Sequence, residues 1–295
     1  MKISVVIQFL NSLRYLPEAV ASVRSQSFTD WELVLVDGGS TDGSTELARQ
    51  YERESGGQIR VLVHPGPGTL GIYSSRVWGA REAKAPLLAL LDSDDIWHPR
   101  FLERQYSMYR ALLGERDGML YCPMYYWWQD SREALRGFVQ TAPPSGLHEA
   151  PGWLFHAFKQ GLIRTPGNSG IMVARKIVVE AGALIGTANE GSTEDQFLFA
   201  FVGLHYPVAY NPEPLVWYRQ WPGSTCALQT EKGGHAFEAH HRWFIDYVTR
   251  EYHGPGKEAL LREARGWLRE VTHPPGPVRR RLRRWRAGLA RRLAN

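Results

Sequence analysis

Two cysteines in 295 residues, Cys122 and Cys226, are too few and too far apart for a disulfide framework, and they form no zinc-ligating pattern. No apolar run approaches the roughly 20 residues of a membrane-spanning helix. The chain passes from Lys2 straight into Ile3–Ile7, too short for a signal-peptide core and without a cleavage site behind it, so a cytoplasmic protein is expected. Acid is also absent after His273, where eight arginines (279, 280, 281, 283, 284, 286, 291 and 292) stand alone. The formal net charge of +5 therefore hides a body with 27 basic and 30 acidic residues, about −3, ahead of one basic tail. What remains is ordinary: 43% hydrophobic and 22% charged residues describe a globular protein long enough for a sizeable core.

Residues 87–97, LLALLDSDDIW, are where this body becomes unusual. Leu87–Leu91 is a short unbroken apolar run, as in a strand buried on both faces of a parallel sheet. It stops at Asp92, Asp94 and Asp95, three acids that repel one another and are costly to desolvate without a cation. Ligands bind at that edge of open α/β sheets, and hard divalent cations take oxygen ligands, so a metal–phosphate site is one reading. The other is a solvated turn capping a helix that starts near Pro99.

The chain around it alternates. Ile3–Ile7 reads as a first strand, followed by the loop Gln8-Phe9-Leu10-Asn11 and a helix over 15–26 with Leu16, Ala19, Val20 and Val23 at helical spacing. Trp31–Val36 is a second strand that ends at Asp37-Gly38-Gly39, where glycine permits a tight turn. Ser40, Thr41 and Asp42 can cap the next helix; strand 60–64, helix 74–83 and strand 87–91 follow. This β-α-β order predicts a doubly wound, mostly parallel sheet flanked by helices, with Asp37 and Asp92 on one edge.

SVVIQFLN…SVRSQSFTDWELVLVDGGSTDGS…LLALLDSDDIWHPRFLE resembles the family 2 inverting glycosyltransferases of the GT-A fold over the first hundred residues. A second block, GIMVARKIVVEAGAL…STEDQFLFAFVGLHYPVAYNPEPLVWYRQWPGS, is similar to that family's acceptor half. The resemblance implies a nucleotide-sugar-binding half over 1–110, an acceptor-binding half over 111–225, a helical extension over 226–272 and a basic amphipathic tail over 273–295. It places the donor on Gln8, Phe9, Asn11, Asp37, Gly38, Arg76, Asp92, Ser93 and Asp94. It puts Mn²⁺ or Mg²⁺ on Asp94 and Asp95, and makes Asp195 the catalytic base, with Glu194 behind it. Read without the family, Asp195 is a helix cap before Phe197–Val202.

Departures from the pattern accompany these matches. Gly38 stands where a second acid is usual, and Leu10 cannot stack on a base as tyrosine can, which leaves Phe9 if the loop is shifted. Val77 replaces an asparagine beside the retained Arg76, and Trp221 replaces a histidine beyond the matching Arg219.

Tyr125, Tyr126, Trp127, Trp128, Trp153 and Trp217 could form a platform for sugar rings or simply fill core, and His148 and His156 read as structural. Helices are expected over 237–252 and 258–271, then a Pro/Gly hinge, then an amphipathic helix over 278–293 with Trp285 among arginines. That helix suits an anionic membrane surface at the inner face of the membrane; its alternatives are a solvated tail or a helix docked on the body. No nucleic-acid-binding motif accompanies the arginines. The implied partners are a nucleoside-diphosphate sugar and a saccharide or lipid-linked saccharide. Metal-dependent phosphoryl transfer and a non-catalytic scaffold derived from a transferase are the competing readings; the first leaves Asp195 and the second block unused.

Overall fold

Strands β1 (Ile3–Phe9) and β2 (Trp31–Asp37) are buried at every position, because β-branched and leucine side chains on both faces meet a layer of helices. A computed structural model describes residues 1–65, 70–128, 146–159, 166–185, 194–224 and 235–272, in two units spanning 1–232 and 233–295. In the first unit, β3 (Ile59–Val63) and β4 (Leu87–Asp92) extend the parallel sheet on either side of the β2-β1 pair. Helices α1 (Leu16–Arg24), α2 (Ser44–Glu54) and α3 (Ile72–Glu82) make the crossovers. The register sets Gln8 beside Asp92 and Phe9 beside Asp37, so the carboxyl ends of three strands share one edge, as predicted.

The second half of the unit joins the same sheet. After β5 (Ile96–Trp97) and α4 (Phe101–Leu112) come β6 (Met119–Tyr121), β7 (Met124–Trp128), β8 (Gly146–His148) and α5 (Gly152–Lys159). A 3₁₀ turn at Asn168–Gly170 leads into β9 (Ile171–Ala174), α6 (Arg175–Ile185), α7 (Glu194–His205), β10 (Val208–Tyr210) and β11 (Val216–Gln220). The large sheet runs β3-β2-β1-β4-β9-β6-β10-β8, and β9 lies antiparallel between β4 and β6. The expected halves are thus joined through hydrogen bonds between β4 and β9. A smaller sheet, β5-β11-β7, stands beside the acid-bearing end of β4. Helix α3 lies close on the sheet: a Cβ on Gly79 would fall 2.6 Å from Val6 Cγ1, so glycine is what permits the approach.

The second unit is a hairpin of α8 (His235–Arg250) and α9 (Lys257–Thr272), in which His241 stacks on Trp267 with ring centroids 5.0 Å apart. The tail expected to form a basic helix over 278–293 lies outside the described residues. Among the described residues, no helix is long and apolar enough to cross a membrane.

At the sheet's amino edge Glu32 is buried within β2 yet charged. Its Oε1 accepts hydrogen bonds from Ser4 Oγ (2.7 Å) and the Lys84 N–H (2.6 Å), and Oε2 pairs with Arg60 (3.1 Å). Burial pushes its carboxyl pKa up, but the Ser4, Lys84 and Arg60 contacts outweigh this and hold it below its ordinary value. Removing the carboxylate strands several donors, so Glu32→Ala is expected to lose about 2–4 kcal/mol of unfolding free energy in denaturant titrations. A depressed folded pKa contributes stability that is complete above the unfolded value of 4.5 and lost as pH falls through the folded one. The gap between wild type and Glu32→Gln should therefore narrow below about pH 4.5; a gap that is flat with pH would show that the charge is irrelevant.

Candidate active site

The turn between β4 and β5 holds three carboxylates, and the surrounding chain supplies donors to each. Asp92 Oδ1 accepts from Arg76 Nη2 (2.7 Å) and from the Gln8 side-chain amide, while the Asp92 N–H donates to Ser169 Oγ (3.0 Å). Asp95 is 1% exposed: its Oδ2 accepts from Ser169 Oγ (2.5 Å) and its Oδ1 from the Arg219 N–H (3.0 Å). Asp94 Oδ2 accepts from Trp221 Nε1 (2.9 Å), and its carbonyl from Arg219 Nε (2.7 Å). Arg219, also 1% exposed, pairs with Glu18 (3.1 Å) and lies over the rings of Tyr15 (4.7 Å) and Trp127 (4.3 Å). Burial raises the pKa of Asp94, the Trp221 hydrogen bond opposes this, and the charge of Asp92 adds to it. Burial followed by the charges of Asp94 and Asp92 lifts Asp95 much further.

A pocket of about 640 Å³ opens over this turn. Its walls take in Gln8, Phe9 and Asn11 from the end of β1, Arg76 from α3, and Asp92, Ser93, Asp94 and Asp95 from the turn. Asp195, in the first turn of α7, lines it too, together with Tyr126 and Tyr218 from the small sheet. Asp195 is therefore brought to the acid turn across more than a hundred residues of sequence. Burial raises its carboxyl pKa; the charge of Arg76 pulls it down and that of Asp92 pushes it up. Its carboxylate accepts from Gln196 Nε2 (3.3 Å) within its own helix turn. Asn11, at φ 51°, takes the Thr41 N–H on its Oδ1 (2.8 Å), and Ser12 Oγ meets Ser93 Oγ (2.9 Å), so the loop after β1 is tied to both neighbouring turns.

Several expected contacts look different in three dimensions. Asp37 is 1% exposed and braces its own turn: Oδ1 accepts from the Gly39 and Ser40 N–H groups (3.0 and 2.8 Å), and Oδ2 from Thr45. Gly38 is bonded on both sides, through its N–H to Phe9 O (2.9 Å) and its carbonyl to the Leu70 N–H (2.8 Å). A Cβ there would meet Leu70 O at 3.1 Å, a tight contact that a larger side chain would have to relieve. Among the described residues, neither Asp37 nor Gly38 lines the pocket. Phe9 does so, but its ring is 3% exposed within the apolar core and is not free to stack on a base; Leu10 is the exposed neighbour. Asp95 also lines the pocket, but it is buried and both its oxygens accept hydrogen bonds, from Ser169 and from the Arg219 N–H. None of the three acids caps α4, whose N-cap is Arg100.

Ser169, bonded to two of the three acids, is not marked by the sequence. Nothing in a lone serine marks it, and only the β4–β9 pairing brings it there. Its neighbour Asn168 sets its amide oxygen 3.0 and 3.2 Å from the Arg76 guanidinium nitrogens in the orientation that satisfies both groups. Trp153 packs in the core against Tyr121, while His148 and His156 meet edge to face with centroids 5.1 Å apart. The side chains of Glu194 and Trp128 lie outside the described residues. No group of three or more His, Cys, Asp or Glu among the described residues is placed to hold a metal. Asp94, whose Oδ1 has no partner from another described residue, with Asp92 beside it, suits a hard cation that takes one or two carboxylates and completes its shell with phosphate and water.

Residues 4–141, just under half of the chain, match the model of glycosyl transferase family 2. The chain is 36% identical over 111 residues to an uncharacterized glycosyltransferase of Nostoc sp., covering 38% of this chain and 34% of that one. It spans only about a third to two fifths of the length of such curated relatives. Its structure is similar to S. aureus TarS 1-349 in complex with UDP-GlcNAc, with a TM-score of 0.70 and 17% identity over 92% of this chain and 73% of that one. It is also similar to the mannosyltransferase PcManGT from Pyrobaculum calidifontis in complex with GDP-Man and Mn²⁺, with a TM-score of 0.58 and 13% identity over 98% and 80% of the two chains. At such identities the structures establish the fold, the GT-A arrangement expected from the sequence.

Ser169→Ala would strand Asp95 Oδ2 and the Asp92 N–H, at an expected cost of about 2 kcal/mol in unfolding free energy. A double-mutant cycle with Asp95→Asn should give a coupling above about 0.5 kcal/mol; additive effects would contradict the shared bond.

Proposed function

From the match of residues 4–141 to the model of glycosyl transferase family 2, we propose a metal-dependent inverting glycosyltransferase that moves a sugar from a nucleoside diphosphate to a hydroxyl of a saccharide or lipid-linked glycan, in cell-surface polysaccharide or glycan assembly. The observation that carries this reading is that Asp195 lines the same pocket as Asp92 and Asp94, close enough for Arg76 and Asp92 to bias its charge. The nucleotide sugars carried by the two structural neighbours support a donor of that class.

In this reading Gln8, Asn11, Arg76, Asp92 and Ser93 hold the donor. Gln8 and Arg76 fix the Asp92 carboxylate, which then presents a set acceptor to the donor's hydroxyls. Asp94 would hold Mn²⁺ or Mg²⁺, which when bound supplies positive charge to the departing diphosphate. Asp95 braces the turn and leaves the ligating to Asp94. Asp195 takes the proton from the acceptor hydroxyl. That oxygen forms its bond to the anomeric carbon on the face opposite the nucleotide, the bond from carbon to phosphate oxygen breaks, and the electron pair leaves with the nucleoside diphosphate. Arg76 opposes the rise that burial imposes on Asp195 and favours its ionised, basic form. Tyr126 and Tyr218 offer ring surface to a sugar on the acceptor side. The basic tail over 278–293 would bring the protein to the anionic inner face of the membrane, where lipid-linked acceptors reside.

The test is donor turnover across UDP-, GDP- and dTDP-sugars with Mn²⁺. Asp195→Asn should lower turnover by roughly a hundredfold to ten-thousandfold while the nucleotide-induced rise in melting temperature persists. Because the Asp195 pKa is raised above 3.8, wild-type turnover should climb with pH through an apparent pKa above that value, a limb absent in the variant. Full turnover by Asp195→Asn would remove the base. A wild type with neither turnover nor a nucleotide-dependent thermal shift would leave a scaffold instead.

A further inference from the structure

We propose that Trp221 is a positioning residue for the cation site: its indole N–H occupies Oδ2 of Asp94, so that the carboxylate offers a cation Oδ1 in a fixed direction, and cation affinity depends on the indole. This rests on the reading of Asp94 as a metal ligand. The observation behind it is the 2.9 Å hydrogen bond from Trp221 Nε1 to Asp94 Oδ2.

The indole is itself held in place. Its ring lies 5.2 Å from the Tyr15 ring at 53°, and Tyr15 in turn carries the Arg219 guanidinium 4.7 Å from its centroid. Gly223 lies against the indole so closely that a Cβ there would fall 2.2 Å from Cζ3. The Ser224 N–H donates to the Trp221 carbonyl (3.1 Å), closing a turn over residues 221–224. Arg219, two residues earlier on β11, grips the Asp94 carbonyl (2.7 Å), so one short stretch fixes both the backbone and the side chain of this acid. An indole N–H donates only and cannot ligate a cation, so the contribution of Trp221 is orientation. A hydrogen bond to one oxygen restrains the rotation of the carboxylate. Released, it could swing under repulsion from Asp92 and Asp95, and part of the binding free energy would go into ordering it again.

Mn²⁺ binding to the full chain, followed by the EPR signal of free Mn²⁺ with and without a nucleoside diphosphate, tests this directly. Trp221→Phe keeps an aromatic ring against Tyr15 and removes the donor. It should weaken Mn²⁺ binding roughly tenfold to a hundredfold, the usual cost of losing such an orienting partner, while the metal-free melting temperature stays within about 2 °C. Gly223→Ala, which displaces the ring and leaves every carboxylate in place, should weaken Mn²⁺ in the same direction and serves if the first variant folds poorly. If Asp94→Asn loses Mn²⁺ while Trp221→Phe and Gly223→Ala bind it as wild type does, the positioning role is refuted and the metal-site reading stands. If the wild type binds no Mn²⁺ even with nucleotide, the metal-site reading fails and takes this inference with it.

Discussion

Crowding of like charge at the end of β4 is the constraint on which the rest of this structure depends. Three carboxylates within four residues cannot be buried together unless donors and cations meet them, since each uncompensated charge costs several kcal/mol. The fold supplies compensation from four directions: Arg76 from α3, Ser169 from the turn before β9, and Arg219 and Trp221 from β11 and the turn after it. The result is a division of labour among chemically identical side chains. Asp95 is turned inward and fully engaged, Asp92 is held by Gln8 and Arg76, and Asp94 keeps an oxygen for the pocket. Burial and mutual repulsion still hold Asp94 and Asp95 above their ordinary pKa, so the site is poised to gain from a cation.

The small sheet is the second consequence. Strand β11 pairs with β5, the strand that follows the acid turn, and so carries Arg219 beside Asp94 and Asp95. Burying the Arg219 guanidinium is tolerable because Tyr15, Trp127 and Glu18 surround it. Part of the aromatic richness of the second half thus serves electrostatics: Trp127 backs an arginine and Trp221 donates to an acid. Tyr126 and Tyr218 line the pocket with Trp221 and the acids.

Much of this was legible in the sequence because it is periodic or terminal to a periodic element. The β-α-β alternation, the apolar run of β4 and the acids that end it are local patterns, and parallel register then places Asp37 and Asp92 on one edge without further information. Which way a carboxylate points is not local. Asp37 and Asp95 resemble Asp94 in sequence, yet Thr45 and the backbone of its own turn capture the first, and Ser169 with the Arg219 N–H captures the second. The antiparallel insertion of β9 between β4 and β6 was equally hidden, and with it Asn168 and Ser169, since pairing of strands some eighty residues apart leaves no mark on either. Gly38 reads as a lost acid in sequence and as a closely packed position beside Leu70 in the fold.

The central claim is that the acid turn and Asp195 serve one bound nucleotide sugar. A crystal structure of the Asp195→Asn protein with a donor sugar and Mn²⁺, with anomalous data collected at the manganese edge, tests it most directly. The account predicts an anomalous peak beside Asp94, the diphosphate next to it and the anomeric carbon facing residue 195. A donor bound elsewhere, or one seated in the pocket with its anomeric carbon turned away from residue 195, would contradict it.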